Sequence, residues 1–247
     1  MKTFGLLGYP LSHSFSKGFF TDKFNKEQIN AQYLNFEIPS ISEFNSILNE
    51  QNDLVGLNVT SPYKEEVIPY LDVLADSAKK IGAVNVIQII RSNQTLKTIG
   101  HNSDIYGFYE SIKPLINPQE HKKALVLGTG GASKAIVQGL LDLNIEPHLV
   151  SRTRRTNTLS YKDLTHSILR EYKVIINCTP LGTYPKSNDC PDIPYTSLTH
   201  NHLLYDLVYN PETTLFMKKG MENGAKTING LQMLHLQAKR AWDIWTS

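Results

Sequence analysis

The sequence contains few cysteines and almost no excess charge. Cys178 and Cys190 are the only two among 247 residues, and neither belongs to a Cys-x-x-Cys pattern. Two isolated thiols do not make the disulfide framework of a small secreted domain, so a reducing compartment, the cytoplasm, is expected. The 25 basic and 23 acidic residues leave a net charge of +2. That is too little to predict binding to nucleic acid or to an anionic membrane.

Long apolar runs and metal-ligand patterns are also lacking. The N-terminus, residues 1–10, has too short an apolar run for a signal peptide, and no window approaches 18 consecutive apolar residues. The eight histidines form no His-x-x-x-His or comparable grouping, so no catalytic metal is expected. The sequence therefore predicts a small-molecule substrate, with no nucleic acid and no membrane as partner, and leaves monomer and homodimer open.

Short apolar strands alternate with amphipathic helices along the chain. Alternation of this kind predicts parallel α/β layers, and strands that are apolar throughout are typical of doubly wound sheets. A hairpin is expected around Ser92 and Asn93, and a first helix is expected to be capped by Ser14 or Ser16. The expected strands are 4–8, 33–38, 54–59, 84–90, 95–99, 124–127, 148–150, 174–177 and 203–206. The expected helices include 41–48, 104–116, 213–222 and 231–245.

The stretch 123–141 has the pattern strand, glycine turn, helix. Its turn reads Gly128-Thr129-Gly130-Gly131. Glycines allow a tight turn and a close approach of the backbone, and the N-terminus of the following helix attracts an anion such as a dinucleotide pyrophosphate. Taken alone, the turn is also compatible with simple packing of a strand against a helix.

The end of the next strand helps to choose a cofactor. A carboxylate about 20 residues beyond the glycines would favour the free ribose hydroxyl of NAD. Here the chain instead reads Ser151-Arg152-Thr153-Arg154-Arg155. Because an arginine can bind a 2′-phosphate with two hydrogen bonds, this segment favours NADP over NAD. The alternatives are a solvated turn and a nucleic-acid patch, and the four residues 152–155 make a small footprint for the latter.

Several segments, in order along nearly the whole chain, resemble the shikimate dehydrogenase family. They are Gly8 to Ser16, Asn58 to Lys64, Gly82 to Asn85, Gly100 to Asp104, the glycine turn, Ile176 to Gly182, Asp206 to Pro211 and Asn229 to Ala238. Chance agreement at eight separate places is implausible. The resemblance implies two α/β domains, a substrate-binding one (1–103 plus 230–247) and a Rossmann-type NADP-binding one (104–229), with the C-terminal helix returning to the first.

The same resemblance implies NADPH-dependent, reversible reduction of 3-dehydroshikimate to shikimate, a step of aromatic amino-acid biosynthesis. It assigns Lys64 and Asp104 to catalysis, paired across the substrate. The implied substrate-binding residues are Ser14, Ser16, Thr60, Asn85, Tyr209 and Gln237. The implied cofactor-binding residues are Gly128, Gly130, Gly131, Ala132, Ser151, Arg152 and Thr153.

Six of these residues also have a simpler structural interpretation. Lys64 would be a solvated lysine in a first helical turn, and Asp104 would be a helix N-cap. Ser14 and Ser16 would cap a helix, Asn85 would serve a turn, and Gln237 would lie on a hydrated helix face.

The chain departs from the family at Lys17, Val86 and Ile105, where proline, threonine and glycine are usual. The segment 155–173 is also short for the family, so a trimmed helix or loop is expected beside the adenosine.

Overall fold

The chain forms two compact units in a computed structural model that describes residues 1–11, 15–92, 95–154 and 156–247. The first unit is Met1–Ser103 with Gln237–Ser247, and the second is Asp104–Leu236. Within the described residues, each unit contains one sheet of six strands. The predicted architecture of two α/β units is therefore confirmed.

The strands and helices are as follows. The strands are β1 (Lys2–Gly8), β2 (Ala31–Glu37), β3 (Leu54–Val59), β4 (Val73–Leu74), β5 (Val86–Ser92), β6 (Thr95–His101), β7 (Lys123–Leu127), β8 (Glu146–Ser151), β9 (Thr158–Ser160), β10 (Val174–Asn177), β11 (Leu203–Asp206) and β12 (Lys226–Ile228). The helices are α1 (Phe15–Lys26), α2 (Phe44–Glu50), α3 (Tyr63–Glu66), α4 (Asp76–Ile81), α5 (Asp104–Ile112), α6 (Gly131–Asp142), α7 (His166–Glu171), α8 (Leu215–Glu222) and α9 (Leu231–Thr246).

The sheet of the first unit is mixed. Its strand order is β2-β1-β3-β5-β6-β4. Strands β2, β1 and β3 are parallel, whereas β5 is antiparallel to both β3 and β6. The antiparallel pairing of β5 with β6 follows from the hairpin, because Ser92 pairs with Thr95 and so short a connection can only join antiparallel strands. The hairpin prediction is confirmed, although Asn93 of its turn lies outside the described residues.

Aromatic side chains form the core between the first sheet, α1 and the end of α9. The Trp245 ring lies 5.0 Å from that of Phe4 and 5.1 Å from that of Phe20, centroid to centroid. Trp245 also donates a hydrogen bond from its indole Nε1 to the carbonyl oxygen of Ile87, at 3.0 Å. The end of the C-terminal helix therefore belongs to the first unit, as predicted.

The sheet of the second unit is parallel throughout, with the order β12-β11-β10-β7-β8-β9. Every residue of β10 and β11 is buried, and apolar clusters cover both faces of the sheet. This is the doubly wound arrangement that unbroken apolar strands predict. From β7 the chain continues outward through β8 and β9 on one side of the sheet, and β10, β11 and β12 follow on the other side. The turn after β7 therefore lies where the strand order reverses, the usual place for a ligand in such sheets.

The structure corrects several predicted boundaries. Ser16 cannot cap α1, because the helix already begins at Phe15, and Ser14 lies outside the described residues. Helix α5 ends at Ile112 rather than at residue 116. A 3₁₀ turn follows, since Pro114 has no N–H to continue the α-helical bonding. The elements that the sequence did not predict are short: β4, α4, β9, α7 and β12.

Candidate active site

Two loops at the carboxyl ends of β1 and β3 are held side by side in the first unit. The Thr60 N–H donates to the carbonyl oxygen of Leu7 at 2.9 Å, and the Tyr9 N–H donates to that of Ser61 at 3.1 Å. Gly8 makes this approach possible, because a Cβ there would lie 2.5 Å from Thr60 Cγ2. Thr60, a predicted substrate contact, is therefore fixed beside the segment that leads to Ser14 and Ser16.

Ser16 is connected to β3 through two partly buried hydrogen bonds. Its side chain bonds with that of Tyr33, whose phenolic pKa is raised by burial and lowered slightly by this bond. The Tyr33 hydroxyl donates to Asn58 Oδ1 at 2.8 Å. Sequence reasoning singled out neither Tyr33 nor Asn58 as a site residue. The available signal was Asn58 itself, a polar residue within the otherwise apolar strand 54–59.

Asn85 supports the residue that precedes Asp104. Its Nδ2 donates to Ser103 Oγ at 3.1 Å, and its Oδ1 accepts from the Ser103 backbone N–H at 2.7 Å. Its carbonyl oxygen also accepts from the Val59 N–H at 2.9 Å. The buried amide therefore joins β3 to Ser103, a structural role that the sequence suggested only as an unspecified turn.

Lys64 lies on a four-residue helix whose position is fixed from both sides. The Lys64 carbonyl oxygen accepts from the Val84 N–H at 2.7 Å. The preceding side chain, Tyr63, is 2% exposed and donates to the carbonyl oxygen of Ile38 at 2.6 Å. The half-buried Lys64 side chain thus extends from a rigid backbone.

Asp104 is buried and is the first residue of α5. A carboxylate in this position is stabilised by the positive end of the helix dipole. The hydrogen bonds from Asn85 to Ser103 hold the chain immediately before it. Asp104 opens the second unit, whereas Lys64 belongs to the first.

Two further predicted substrate residues lie in different units. Gln237 is half-buried in the part of α9 that belongs to the first unit, and Tyr209, 42% exposed, follows β11 in the second. One turn after Gln237, Arg240 lies close enough to His101 to help lower its pKa, although burial is the larger cause. His101 Nε2 is buried and has no hydrogen-bond partner among the described residues. The sequence did not single out His101 as a site residue.

The glycine turn of the second unit has two kinds of glycine. Gly128 has φ +105°, and a Cβ there would lie 3.1 Å from Thr179 Cγ2, so only glycine is unstrained at this position. A Cβ on Gly130 or Gly131 would meet nothing within 4 Å. Gly130 is the N-cap of α6, and Gly131 and Ala132 are its first residues. Open space against the first N–H groups of a helix suits a pyrophosphate, so these residues fit a dinucleotide.

The end of β8 presents an exposed arginine. Ser151 Oγ donates to the carbonyl oxygen of Thr153, which shapes the turn, and Arg152 and Thr153 are exposed. Arg154 is directed to Asp163, with Nη1 3.8 Å from Oδ1. Hydrogen bonds from the Ser160 backbone and side chain are the main cause of a lowered Asp163 pKa. Of Arg152 and Arg154, the two described arginines of this turn, Arg152 therefore fits a phosphate better; Arg155 lies outside the described residues.

The part of the chain that the structure describes contains neither a cluster of metal-ligating side chains nor an apolar helix of membrane-spanning length. No group of three or more histidine, cysteine, aspartate or glutamate side chains there could hold a metal ion. None of the helices in that part has the length and hydropathy that a bilayer crossing requires. Cys178 and Cys190 are free thiols.

Comparison with known proteins gives the same family along the whole chain. Residues 6–87 match the family model described as the shikimate dehydrogenase substrate binding domain. The chain is 37% identical over 261 residues to a shikimate dehydrogenase (NADP(+)) of Carboxydothermus hydrogenoformans, covering 99% of this chain and 91% of that protein. The chain belongs to the shikimate dehydrogenase family. The resemblance found in the sequence is thereby confirmed.

Solved structures of shikimate dehydrogenases share the fold. Shikimate dehydrogenase 1 from Peptoclostridium difficile is 37% identical, with a TM-score of 0.82 and coverage of 100% of this chain and 92% of that one. The Thermus thermophilus enzyme in complex with NADP(H) and shikimate is 27% identical, with a TM-score of 0.84 and coverage of 100% and 94%. The family's two α/β units therefore correspond to those described above.

Proposed function

We propose that this chain catalyses the NADPH-dependent, reversible reduction of 3-dehydroshikimate to shikimate in the shikimate pathway. The observation that carries this conclusion is identity above 30% to shikimate dehydrogenases (NADP(+)) over nearly the full length of both chains. The glycine turn, which fits a dinucleotide, and the presence of both Lys64 and Asp104 agree with it. Residues 1–103 and 230–247 bind the substrate in this proposal, and residues 104–229 bind the cofactor.

The second unit holds NADP in this proposal. The backbone of Gly128, Gly130, Gly131 and Ala132 receives the pyrophosphate, and Ser151, Arg152 and Thr153 receive the adenosine ribose with its 2′-phosphate. When bound, NADPH supplies the hydride that the carbonyl carbon accepts. The cationic guanidinium of Arg152 favours the phosphorylated cofactor, and the sequence 151–155 itself includes no carboxylate that would repel the phosphate.

Lys64 and Asp104 carry out the acid–base part of the reaction in this proposal. The ammonium group of Lys64 stabilises the oxyanion that develops on the substrate carbonyl, and a proton must reach that oxygen for the alcohol to form. The carboxylate of Asp104 accepts a hydrogen bond from a substrate hydroxyl and orients the ammonium. The remaining substrate contacts in this proposal are Ser14 and Ser16 at the ring carboxylate, with Thr60, Asn85, Tyr209 and Gln237 at hydroxyls.

The direct test is a spectroscopic assay with purified protein. Shikimate and quinate are each supplied with NADP or NAD, and kcat/KM is compared for the four pairs. The proposal expects the shikimate and NADP pair to be the best substrate set. Preference for quinate or for NAD would correct the specificity. No turnover with any pair across a range of pH would instead favour a nonenzymatic protein that retains the fold.

Substitution of Lys64 tests the assigned chemistry. Lys64→Ala is expected to lower kcat by roughly 10²- to 10⁴-fold with much smaller damage to substrate binding, because the ammonium acts mainly in the transition state. The matched control is Lys79→Ala, which removes an exposed lysine whose ammonium lies 3.6 Å from an Asp76 carboxylate oxygen. Near-normal turnover of Lys64→Ala would refute the role assigned to Lys64.

We also propose the cytoplasm as the site of this reaction. Cys178 and Cys190 are free thiols, and a reducing compartment keeps thiols in that state.

A further inference from the structure

The Asp206 carboxylate, at the end of β11, is 0% exposed and accepts three hydrogen bonds. They come from Asn177 Nδ2 at 2.9 Å, the Val208 N–H at 3.0 Å and Thr214 Oγ1 at 2.6 Å. A buried carboxylate is unfavourable unless donors of this kind surround it. The carboxylate therefore fixes all three donor groups.

The first donor leads to the glycine turn. Asn177 Oδ1 accepts from the Thr179 N–H at 3.0 Å and from Thr179 Oγ1 at 2.6 Å, so both polar atoms of the amide are engaged. Thr179 Cγ2 is the atom that a Cβ on Gly128 would meet first, at 3.1 Å. A continuous series of contacts thus runs from Asp206 through Asn177 and Thr179 to Gly128.

The other two donors hold neighbouring segments. Val208 immediately precedes Tyr209, so its bond to Asp206 fixes the turn that carries this tyrosine. Thr214 is the N-cap of α8 and accepts from the Met217 N–H at 3.3 Å. Strands β7, β10 and β11 are adjacent and parallel, so one carboxylate organises the segments that follow all three.

We propose that Asp206 is a positioning residue of the cofactor site, which holds Thr179 against Gly128 and fixes the turn before Tyr209. The inference rests on the proposed function, because it takes the glycine turn as the place where NADP binds. Asp206 itself touches neither cofactor nor substrate in this proposal. It acts through the backbone and side chains that it orients.

The protonation state of Asp206 supplies a specific readout. Burial raises its pKa to about 6, although its three hydrogen bonds act in the opposite direction. The titratable groups that face it are Cys178, beside Asn177, and Tyr195 of a 3₁₀ turn. The carboxylate is ionised at pH 7.5. At lower pH its proton would turn an acceptor into a donor and loosen the three bonds.

The effect of ionised Asp206 on stability separates this role from a merely structural one. Because the pKa in the folded state exceeds the unfolded value near 3.9, ionised Asp206 reduces stability at neutral pH. Asp206→Asn keeps an oxygen for Asn177 and Val208 and turns its NH₂ toward Thr214 Oγ1, which can accept. The variant should therefore melt within about 3 °C of the wild type, or higher, at pH 7.5. Its hydrogen bonds would nevertheless be weaker, since they would no longer be charge-assisted.

The experiment measures NADP dissociation constants by calorimetry, together with melting temperatures of the cofactor-free protein. Asp206→Asn is expected to weaken NADP binding roughly 10-fold at pH 7.5 without a matching loss of melting temperature. Wild-type affinity should approach that of the variant as the pH falls below 6. The cofactor's own phosphate, which titrates near pH 6, affects both proteins equally and cancels in the comparison.

Two further variants keep the test decisive. Thr179→Val removes the hydrogen bond from Oγ1 to Asn177 Oδ1 and leaves both the backbone N–H bond and the buried carboxylate in place. It should also weaken NADP binding, even if Asp206→Asn does not fold. Thr165→Val removes the N-cap of α7 and should lower the melting temperature while NADP affinity stays the same. Wild-type NADP affinity in both Asp206→Asn and Thr179→Val, or in Thr179→Val alone if Asp206→Asn does not fold, would overturn the inference. A wild-type protein that binds no NADP would instead refute the proposed function.

Discussion

At the scale of single residues, Gly128 and Gly130 of the glycine turn are glycine for different reasons. Gly128 has a positive φ, and a Cβ there would crowd Thr179, whereas Gly130 has φ −79° and open space where a side chain would begin. The first glycine is required by the fold of the turn itself. The second leaves room for a ligand, so the two substitutions should fail in different ways.

Gly128→Ala is expected to lower the free energy of unfolding by about 1–2 kcal/mol, because alanine is strained in this conformation. Gly130→Ala should stay within about 0.5 kcal/mol of the wild type yet weaken NADP binding, since its methyl group takes the space of the phosphate. Urea denaturation and calorimetric titration measure the two quantities. Equal stability losses in both variants would contradict the distinction.

Arg152 and Arg154 provide a second matched pair. Arg152→Ala is expected to lower kcat/KM for NADP roughly 10- to 100-fold and to change the value for NAD little, because only NADP carries the 2′-phosphate. Arg154→Ala should have a smaller effect, as this side chain is directed to Asp163. Steady-state kinetics with NADP and with NAD measures kcat/KM for both variants. A parallel loss for NAD and NADP in Arg152→Ala would show that the arginine does not read the phosphate.

At the scale of secondary-structure elements, two buried histidines hold loops in place, and one of them, His202, joins its loop to helix α7. His202 Nδ1 accepts from the Thr199 N–H at 3.0 Å, so its Nε2 carries the hydrogen that faces the carbonyl oxygen of Leu169 at 2.8 Å. His121 is bonded similarly, with Nδ1 accepting from the Asn117 N–H and Nε2 facing the carbonyl oxygen of Asn201. Burial is the main cause that lowers the pKa of both rings.

These histidines should make the fold less stable in acid. A lowered pKa in the folded state means that the unfolded chain binds the proton more tightly. Their contribution to stability is therefore complete above the unfolded value of about 6.5 and declines as the pH falls through it. In urea denaturation at pH 7.5 and 5.5, His202→Asn should lose less free energy of unfolding on acidification than the wild type does.

The variant has to be compared with the wild type, because Asp206 changes the stability in the opposite direction over the same pH range. His200→Asn, at an exposed position two residues earlier, is the control. An unchanged pH dependence in His202→Asn would refute this account.

At the scale of the whole molecule, the chain returns to its first unit at the C-terminus. Residues 237–247 complete the aromatic core of the unit that begins at Met1. Gly56 allows this return, because a Cβ there would lie 2.4 Å from the Trp245 ring. The first unit is therefore incomplete without the last turns of α9.

Trp245→Ala is expected to lower the free energy of unfolding by about 3–5 kcal/mol, since it removes a large buried side chain and a hydrogen bond to Ile87. Trp242→Ala, on the same helix but half-buried, should cost less. Far-UV circular dichroism in urea measures both without relying on tryptophan emission. Comparable losses in the two variants would show that the contacts of Trp245 with Ile87 and Gly56 contribute little to stability.

The sequence by itself determined the features that depend on neighbouring residues. The bounds of β3, β10 and β11 match the predicted ranges, because apolar runs and the breakers that end them are local. The hairpin and the glycine turn followed from the same kind of local pattern. The family and its cofactor followed from motifs spread along the chain.

Only the tertiary structure decided which polar groups meet. Tyr33 reaches Asn58 because β2 and β3 flank β1 in a particular register, which no local pattern specifies. In the same way, Asp206 is surrounded by donors that lie 29 and 8 residues away as well as by one close in the chain. A buried charge takes its properties from such partners, so its role becomes visible only when the strands that carry them are side by side.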